Sequence, residues 1–380
     1  MKISGDWIRA AHVQAVLSVL DRGGHAALLV GGCVRNDLLG QPVSDIDIAT
    51  DAQPLRVVEL AAAAGIRTVP TGIDHGTVTL LVHGIAHEVT TFRRDVATDG
   101  RRATVAFTRD LAEDAARRDF TMNALYARAD GRVLDPIGGY DDLRARRVRF
   151  VGDPVRRIRE DYLRILRFFR FHAWYGDPAR GLDPEALAAC AAQADGLGPV
   201  SHERIGHEMR RLLAAPDPAP ALAAMQAAGI LHHVLPGADA RDCAVLVHLE
   251  GGMSPSWLRR LALLGGEDPA TALRLSREEE RARLAIRAAA LDTAGAAELG
   301  YRLGAGQGAD ALLVRAALTG QPLPPGWADD LARGAQAVFP LRAADFMPDL
   351  SGEALGQRLR QAEAAWVASG FGLSREQLLS

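Results

Sequence analysis

The segment LLVGGCVRNDLLGQPVSDIDIAT, residues 28–50, decides the fold of this chain. An apolar strand pattern runs into Gly31 and Gly32, a short helix pattern follows and ends at Gly40, and a second strand pattern carries Asp45 and Asp47. Side chains at i and i+2 of a strand share a face, so we expect two neighbouring carboxylates. Because these charges repel each other, the pattern predicts a cation between them.

The acid pair alone allows two interpretations, because many strands end in two exposed acids that bind nothing. The other interpretation is a Mg²⁺ site, since Mg²⁺ takes one or two carboxylates and completes its shell with water and substrate phosphates. Two such ions, about 4 Å apart, support a phosphoryl transfer. Gly31 and Gly32 favour the metal site, because glycine N–H groups can closely approach a triphosphate, with Arg35 nearby as a bidentate partner.

Length and composition set the class of protein. With 380 residues the chain exceeds one ordinary core, and with 48% hydrophobic and 24% charged residues it is typical of a globular protein. No segment approaches the roughly 20 apolar residues of a membrane helix, and the N-terminus is amphipathic, so we expect no membrane association and a cytoplasmic location. Three distant cysteines and histidines without a ligand pattern predict neither disulfides nor zinc.

Positive charge is concentrated in one part of the chain. The net charge of −3 gives no general attraction for polyanions, yet Arg144 to Arg170 contains ten arginines against three acids. Charge alone leaves open a solvated helix surface and a nucleic-acid-binding surface.

The pattern of elements divides the chain in two. Up to about residue 140 we predict helices near 6–22 and 54–64, strands in HGTVTLLVHG and IAHEVTTF, a helix in LAEDAARRD and a hairpin at Asp130-Gly131. Beyond Asp141 the signals are almost entirely helical, with turns at GDP, PDPAP, LPG and QPLPPG. The expected fold class is α+β: a small mixed-sheet head followed by an elongated all-α neck, body and tail.

Two downstream motifs carry further chemistry. RRDFTMNAL, residues 117–125, offers planar arginine donors for phosphate oxygens and an acid, Asp119, for a ribose hydroxyl, although an isolated RRD also suits a helix-end salt bridge. RRIREDYLRILRFFRF, residues 156–171, predicts one amphipathic helix with a polar face within roughly a 120° arc. Its Glu160–Arg164 spacing also fits a solvated ion-pair face. The predicted polar face comprises Arg157, Glu160, Asp161, Arg164, Arg167 and Phe168.

These motifs together carry a family resemblance. GGCVRNDLLG with SDIDIAT, RRDFTMNAL, LDPIGGY and the pattern E-D-x-x-R-x-x-R resemble the class II tRNA nucleotidyltransferases, the CCA-adding enzymes, and their bacterial poly(A) polymerase relatives. These belong to the nucleotidyltransferase superfamily of DNA polymerase β type. The resemblance is strong over about residues 25–175, fair to about 237 and thin beyond. One departure is Asn36, where the family commonly has Asp.

The resemblance implies roles for individual residues. Asp45 and Asp47 would be the catalytic acids and ligands of two Mg²⁺ ions, and Glu88, on a neighbouring strand, is a candidate third acid. The implied nucleotide-binding residues are Gly31, Gly32, Arg35, Arg117, Arg118, Asp119 and Asn123. Base recognition would fall to the helix residues Glu160, Asp161, Arg164 and Arg167, above all Asp161 and Arg164.

An Asp-Arg pair is chemically suited to select C and A. A carboxylate accepts from the amino group of cytosine or adenine while a guanidinium donates to the neighbouring ring nitrogen. Guanine and uracil present the opposite order, which leaves buried polar groups unpaired. The pair is therefore expected to accept CTP and ATP and to reject GTP and UTP.

The predicted function is addition of C, C and A to the tRNA 3′ end from CTP and ATP. We expect a head over residues 1–140, a neck over 141–200, a body over 201–265 and a tail over 266–380 that binds tRNA. FRRDVATDGRRATVAF, residues 92–107, is predicted to be a flexible loop and resembles the loop with which full CCA-adding enzymes switch from C to A. The alternatives are a poly(A) polymerase, a CC-only or A-only enzyme, and a catalytically inactive RNA-binding protein.

Overall fold

The computed structural model describes residues 1–69, 72–99, 102–347 and 349–380. It divides into two compact units: Met1–Glu208 with Ala227–Val234, and Met209–Gln226 with Leu235–Ser380. Within the described residues, none of the helices combines the length and the apolar character that crossing a membrane requires.

The named strands of the described residues lie in the first unit. Seven of the described strands form a mixed sheet in the order β3-β4-β5-β2-β1-β8-β9, and β6 pairs with β7 separately. Among the described pairs, β2 and β5 run parallel and the others antiparallel. The strands are β1 (Leu28–Val30), β2 (Asp47–Thr50), β3 (Arg67–Val69), β4 (Thr77–Val82), β5 (Ile85–Thr91), β6 (Arg93–Asp99), β7 (Arg102–Phe107), β8 (Tyr126–Ala127) and β9 (Val133–Leu134).

The α-helices along the chain are α1 (Ala11–Arg22), α2 (Gly32–Leu38), α3 (Pro54–Ala63), α4 (Leu111–Ala116), α5 (Gly139–Arg144), α6 (Pro154–Glu160), α7 (Leu163–Tyr175), α8 (Pro184–Ala192), α9 (His202–Leu213), α10 (Ala219–Ala227), α11 (Ile230–Val234), α12 (Cys243–Glu250), α13 (Trp257–Leu264), α14 (Pro269–Ala272), α15 (Arg277–Leu291), α16 (Ala296–Thr319), α17 (Trp327–Gln336), α18 (Gly352–Ala368) and α19 (Arg375–Leu379). A 3-10 turn at Thr121–Asn123 belongs to the candidate site.

The predicted α+β class is confirmed, and its main elements follow from the hydrophobic pattern. In β4, Val78, Leu80 and Val82 are buried at every second position, as expected for a strand with one face on the core. Helix α3 and strands β4 and β5 lie where the sequence predicts them. The helix predicted near 6–22 is interrupted: a 3-10 turn covers Asp6–Arg9, and α1 begins at Ala11.

Two local predictions in the head are wrong. The strand with the acid pair begins only at Asp47, so Asp45 lies in the segment before it. Residues 93–99 and 102–107, predicted as part of a flexible loop, pair as the antiparallel strands β6 and β7. Pairing between the two strands, which local composition does not reveal, decides the structure of this segment. Gly100 and Arg101, also in that predicted loop, lie outside the described residues.

The helix predicted over 156–171 is two helices. Helix α6 ends at Glu160, Asp161 is extended (φ −158°, ψ 105°), and α7 begins at Leu163. The Asp161 carboxylate accepts the N–H of Leu163 at 3.1 Å and so caps α7. Because the break changes the helical phase, the prediction of one continuous polar face is wrong. Phe168, predicted on that face, is 0% exposed, and Arg157 is 6% exposed.

The second unit contains helices in its described part and a buried ion-pair network. Arg260 is 0% exposed and donates through Nη1 to the carbonyls of Leu213 and Ala215, at 2.6 and 2.5 Å. Its Nη2 pairs with the buried carboxylate of Glu250 at 2.6 Å, and Arg259 pairs with the same carboxylate at 2.8 Å. This network joins α13 to the end of α9, to the residues that follow α9, and to Glu250 at the end of α12.

Candidate active site

Three carboxylates lie at one edge of the sheet, where Glu88 and Asp45 are within electrostatic range of Asp47. Asp47 is the first residue of β2 and lies directly opposite Glu88 on the parallel strand β5. Asp45 precedes β2, and its Oδ2 accepts a hydrogen bond from Ser44 Oγ at 3.1 Å. The pKa of Asp47 is raised because surrounding atoms partly desolvate its carboxyl and because Glu88, and to a lesser degree Asp45, repel its charge, while Arg118 opposes the shift. All three acids are open to solvent.

The acid cluster fits a cation whose shell is completed by substrate. Within the described parts of the chain, no three His, Cys, Asp or Glu side chains are arranged to hold a metal ion unaided. Mg²⁺ needs only one or two protein carboxylates when water and phosphate oxygens occupy its other positions. The mutual repulsion at Asp47 is the strain that such an ion relieves.

Gly31 connects β1 to α2 in a conformation that requires glycine. Its φ of 73° with ψ of −120° is unfavourable for residues with a side chain. The N–H of Gly31 donates to the carbonyl of Leu125 at 3.1 Å, so the expectation that this N–H faces a phosphate is wrong. A Cβ at Gly31 would lie 3.6 Å from Nη1 of Arg118, and the backbone therefore passes close to that guanidinium. Gly32 opens helix α2.

Cys33 lies buried next to the acids. Burial, with a smaller contribution from the charge of Asp47, raises the pKa of its thiol to about 12. The thiol is therefore neutral at physiological pH and contributes packing rather than nucleophilic chemistry.

A buried acid that the sequence analysis missed orients the arginine pair. Nε of Arg117 donates to Oδ1 of Asp114 at 2.8 Å, and Nη2 of Arg118 donates to Oδ2 at 3.2 Å. The hydroxyl of Tyr126 donates to Oδ2 at 2.6 Å and accepts from Nε of Arg118 at 3.0 Å. Burial would raise the pKa of Asp114, but the two arginines outweigh it and lower the pKa. The spacing of Asp114 from the arginines, i+3 and i+4, was the available signal.

Four predicted site residues form a chain of hydrogen bonds. Nη1 of Arg35 donates to Oδ1 of Asn123 at 2.5 Å, and Nδ2 of Asn123 donates to Oδ1 of Asp119 at 2.9 Å. Oδ2 of Asp119 accepts from Nε of Arg167 at 2.9 Å, and the pKa of Asp119 is lowered because Arg167 outweighs the effect of burial. Arg35 also stacks on Tyr175, 4.0 Å from the ring centre. The structure brings these residues together, and their contacts with a nucleotide stay predictions.

Asn36, the departure from the family pattern, has two partners. Its Oδ1 accepts from Nε and Nη2 of Arg35 at 3.1 and 2.9 Å, as a carboxylate would. Its Nδ2 donates to the carbonyl of Pro42 at 2.9 Å, which an aspartate could not do. Asn36 therefore keeps the arginine in place and also fastens the segment that leads to Asp45.

Glu160 holds arginines rather than facing outwards. Its Oε2 accepts from Nη1 of Arg164 at 2.7 Å and from Nη1 of Arg157. Nη2 of Arg157 in turn donates to the carbonyl of Arg118 at 2.7 Å. Glu160 thus links Arg164, the predicted base-reading arginine, through Arg157 to the backbone of the RRDFT segment, residues 117–121.

Asp161 and Arg164 lie one turn apart at the break between α6 and α7. The N–H of Arg164 donates to the carbonyl of Asp161 at 3.0 Å. Oδ2 of Asp161 accepts from Nη2 of Arg204, on α9, at 2.7 Å. The Asp161 carboxylate and the Arg164 guanidinium therefore have fixed partners. The sequence did not reveal Arg204, whereas the i,i+4 spacing of Glu160 and Arg164 did indicate their pairing.

Comparison with known proteins identifies the family. A family model described as the poly A polymerase head domain matches residues 27–149, and one described as the probable RNA and SrmB binding site of polymerase A matches residues 181–241. The mitochondrial CCA tRNA nucleotidyltransferase 1 of Mus musculus is 33% identical over 97% of this chain and 89% of its own length. The human protein of the same name is 46% identical over 50% of this chain, a match that spans 44% of the human protein.

A solved structure has the same fold. The Bacillus stearothermophilus CCA-adding enzyme in complex with CTP superposes with a TM-score of 0.76 and 29% identity, over 97% of this chain and 95% of that one. The head with its acid cluster, the arginine pair and the helical remainder therefore agree with one family in sequence and in architecture. The chain belongs to the family of CCA tRNA nucleotidyltransferases, the CCA-adding enzymes.

Proposed function

We propose that this chain is a template-independent CCA-adding enzyme. The 3′ hydroxyl of a tRNA acceptor end attacks the α-phosphate of CTP, twice, and then of ATP, and each step releases pyrophosphate. The observation that carries the proposal is the position of Asp47, opposite Glu88 and within electrostatic reach of Asp45 and Arg118. This arrangement combines acids for a metal with a cation for a triphosphate at one sheet edge.

The acids provide the metal site. Enzymes of this family generally use a divalent metal. In our proposal Asp45 and Asp47 would hold two Mg²⁺ ions, and the chemistry that such ions would supply is a lower pKa for the attacking hydroxyl and neutralisation of the triphosphate. Glu88 supplies a third negative charge beside Asp47 and so strengthens the attraction for cations.

The RRDFT segment binds the nucleotide in this proposal. Arg117 and Arg118, oriented by Asp114, donate to the phosphates, and Gly31 and Gly32 let the backbone come close. Asp119 accepts from a ribose hydroxyl at Oδ2, the oxygen that also accepts from Arg167. Arg35 acts by holding Asn123, which holds Asp119.

Base selection depends on Asp161 and Arg164. The carboxylate accepts from the amino group of cytosine or adenine, and the guanidinium donates to the ring nitrogen beside it. Glu160 fixes Arg164, and Arg204 fixes Asp161, so the pair is ordered before the nucleotide arrives. Preorganised polar groups of this kind discriminate strongly, because a wrong base leaves them unpaired.

The proposal also assigns roles to the parts of the chain and a location to the enzyme. Residues 1–140 act as the catalytic head, 141–200 as the neck, 201–265 as the body and 266–380 as a tail that binds tRNA. The arginine-rich stretch from Arg144 to Arg170 supplies local positive charge for tRNA. The enzyme works in the cytoplasm.

The test is to offer the purified protein an end-labelled tRNA that lacks CCA, with each NTP alone and in pairs. We expect two additions with CTP alone and three with CTP and ATP. A long run of A would instead indicate a poly(A) polymerase. A product that stops after CC would indicate a CC-only enzyme. Addition of a single A to a CC-ended tRNA, with no addition of C, would indicate an A-only enzyme. Binding of tRNA with no extension would indicate an inactive RNA-binding protein.

A further inference from the structure

We propose that the arginines just after the start of the helical region form a docking surface for the backbone phosphates of RNA. This arginine surface consists of Arg144, Arg146, Arg147 and Arg149. Between Leu143 and Gly152 the chain has these four arginines and no acidic residue. The inference rests on the proposed function only in that the RNA is taken to be tRNA.

A buried acid holds two of the arginines in place. Asp142 is 0% exposed, and its Oδ1 accepts from Nε of Arg147 at 2.8 Å and its Oδ2 from Nε of Arg149 at 2.9 Å. Oδ2 also accepts from Oγ1 of Thr121 at 2.7 Å. The side chains of Arg147 and Arg149 are nonetheless 49% and 46% exposed. Asp142 thus holds each guanidinium through its Nε and leaves other N–H groups of Arg147 and Arg149 facing solvent. This geometry is suited to binding phosphate oxygens.

Arg146 occupies a backbone position that favours glycine. Its φ is 49°, in the left-handed region, and the N–H of Arg147 donates to the carbonyl of Asp142 at 2.8 Å while that of Arg146 donates to Leu143 at 3.0 Å. This is a Schellman motif, in which glycine is the usual residue at this place. The exposed side chain of Arg146 makes no hydrogen bond or ion pair with any described residue. The fold therefore bears a backbone cost for an arginine that it does not itself use.

The arginine surface adjoins the proposed nucleotide site. The N–H of Thr121 donates to the carbonyl of Arg149 at 3.0 Å, and the N–H of Val151 donates to the carbonyl of Asp119 at 3.0 Å. Residues 149–151 thus run beside the RRDFT segment. Phe150 packs on Phe120 in the core, so Arg149 faces the other way, to solvent. This adjacency supports the proposal, because backbone phosphates close to an RNA 3′ end at the nucleotide site would lie within reach of the arginine surface.

Phosphates of structured RNA are the chemistry that fits. Double-stranded RNA is bound mostly by shape and through its phosphates and 2′ hydroxyls, and arginine is the residue that pairs with phosphate through two parallel N–H groups. Four fixed or exposed guanidiniums with no acid between them present a row of such donors. Base reading is not required of them.

The experiment measures equilibrium binding of a CCA-lacking tRNA without nucleotide, over a range of salt concentrations. We expect Arg144→Gln and Arg146→Gly each to weaken binding and to reduce the slope of log affinity against log salt by about 0.7 to 0.9, the range for one phosphate contact on single-stranded and duplex DNA. Arg146→Gly should also unfold at a temperature equal to or above that of the wild type. The control is Arg56→Gln, which removes an exposed charge from α3 and should leave the slope unchanged.

Unchanged affinity and slope in both surface variants would overturn the proposal. So would weaker CTP binding with tRNA binding intact, because the arginines would then serve the nucleotide. If the wild-type protein binds tRNA through this surface but adds no nucleotide, the proposed function fails and the arginine surface stands. Arg144→Gln preserves the test should Arg146→Gly fold poorly.

Discussion

Asp47 and Glu88 lie directly opposite each other on the parallel strands β2 and β5. Both side chains are exposed, and repulsion from Glu88 contributes to the raised pKa of Asp47. Two carboxylates placed this way destabilise the free protein unless positive charge is added. The pair therefore connects the stability of the fold to the metal and the nucleotide that the site is proposed to bind.

Replacing Asp47 by Asn should remove activity and stabilise the metal-free protein. Folding raises the pKa of the Asp47 carboxyl, so this group favours the folded protein most at a pH below its pKa in the unfolded chain. The contribution is lost as the pH rises through the pKa of the carboxyl in the folded protein. The charged form of the Asp47 carboxyl is thus unfavourable in the folded protein, and Asn removes that charge. We expect nucleotide addition to fall by at least about 100-fold, since a catalytic metal contributes several kcal/mol. Melting temperature in chelator should rise.

Asp21→Asn, an exposed acid at the end of α1, is the matched control and should change neither quantity. Persisting addition together with a lower melting temperature for Asp47→Asn would contradict the assignment.

Replacing Glu88 by Gln should shift the pH dependence of catalysis. Removing this neighbouring charge lowers the pKa of Asp47 towards its ordinary value, so Asp47 stays ionised at lower pH. The acid limb of the single-turnover rate of C addition should therefore move to lower pH. A limb that stays in place would show that Glu88 does not act on Asp47.

Replacing Asp114 by Asn should weaken nucleotide binding more than the chemical step. The substitution keeps the shape but loses the charge that orients Arg117 and Arg118. One charge-assisted contact is worth about 1.5–3 kcal/mol, so KM for CTP should rise roughly 10-fold or more with a smaller change in kcat. Glu113→Gln, the preceding acid on α4, is the control. If Asp114→Asn and Glu113→Gln changed KM and kcat to the same extent, the effect would be a general structural one.

Replacing Asp161 by Ala should reduce selectivity. Loss of the acceptor for the base amino group should lower kcat/KM for CTP and ATP by about 10- to 100-fold and leave UTP and GTP little changed. The measurement compares the four nucleotides on the same tRNA end. An unchanged ratio of CTP to UTP would show that the base is read elsewhere.

Replacing Arg260 by Met tests the buried network of the second unit. The change leaves Glu250 buried without one of its partners and removes the donor to Leu213 and Ala215. Loss of one partner of a buried ion pair typically costs about 3–5 kcal/mol, which urea unfolding measures. A loss below about 1 kcal/mol would be inconsistent with this network. The contacts of Asp47 and Arg118 lie in the other unit and are unaffected.

The elements that periodicity determines were predictable, and the local breaks were not. Helix α3 and strands β4 and β5 follow from apolar spacing alone, because burial enforces that spacing. The break at Asp161 depends on one carboxylate capping Leu163, a choice that a helical pattern does not reveal. The β6 and β7 pairing depends on contacts between two strands, which local composition does not contain.

The chemical residue types of the site were predictable, but their partners were not. Asp45, Asp47 and Arg118 could be singled out because they stand in dense motifs. The role of Arg204 could not, because it contacts Asp161 only after folding brings the two side chains together. The same holds for Arg35, whose donors turn inwards to Asn123 and Tyr175. The role of Asp114 was overlooked, although its i+3 and i+4 spacing from Arg117 and Arg118 was a local signal.

A crystal structure of the protein with CTP and Mg²⁺ tests the proposed metal and nucleotide site most directly. We expect ions bound to Asp45 and Asp47, with the triphosphate against Arg118 and the cytosine amino group on Asp161. Density in which both aspartates turn away from any ion, and the triphosphate lies at another place on the protein, would contradict the proposal.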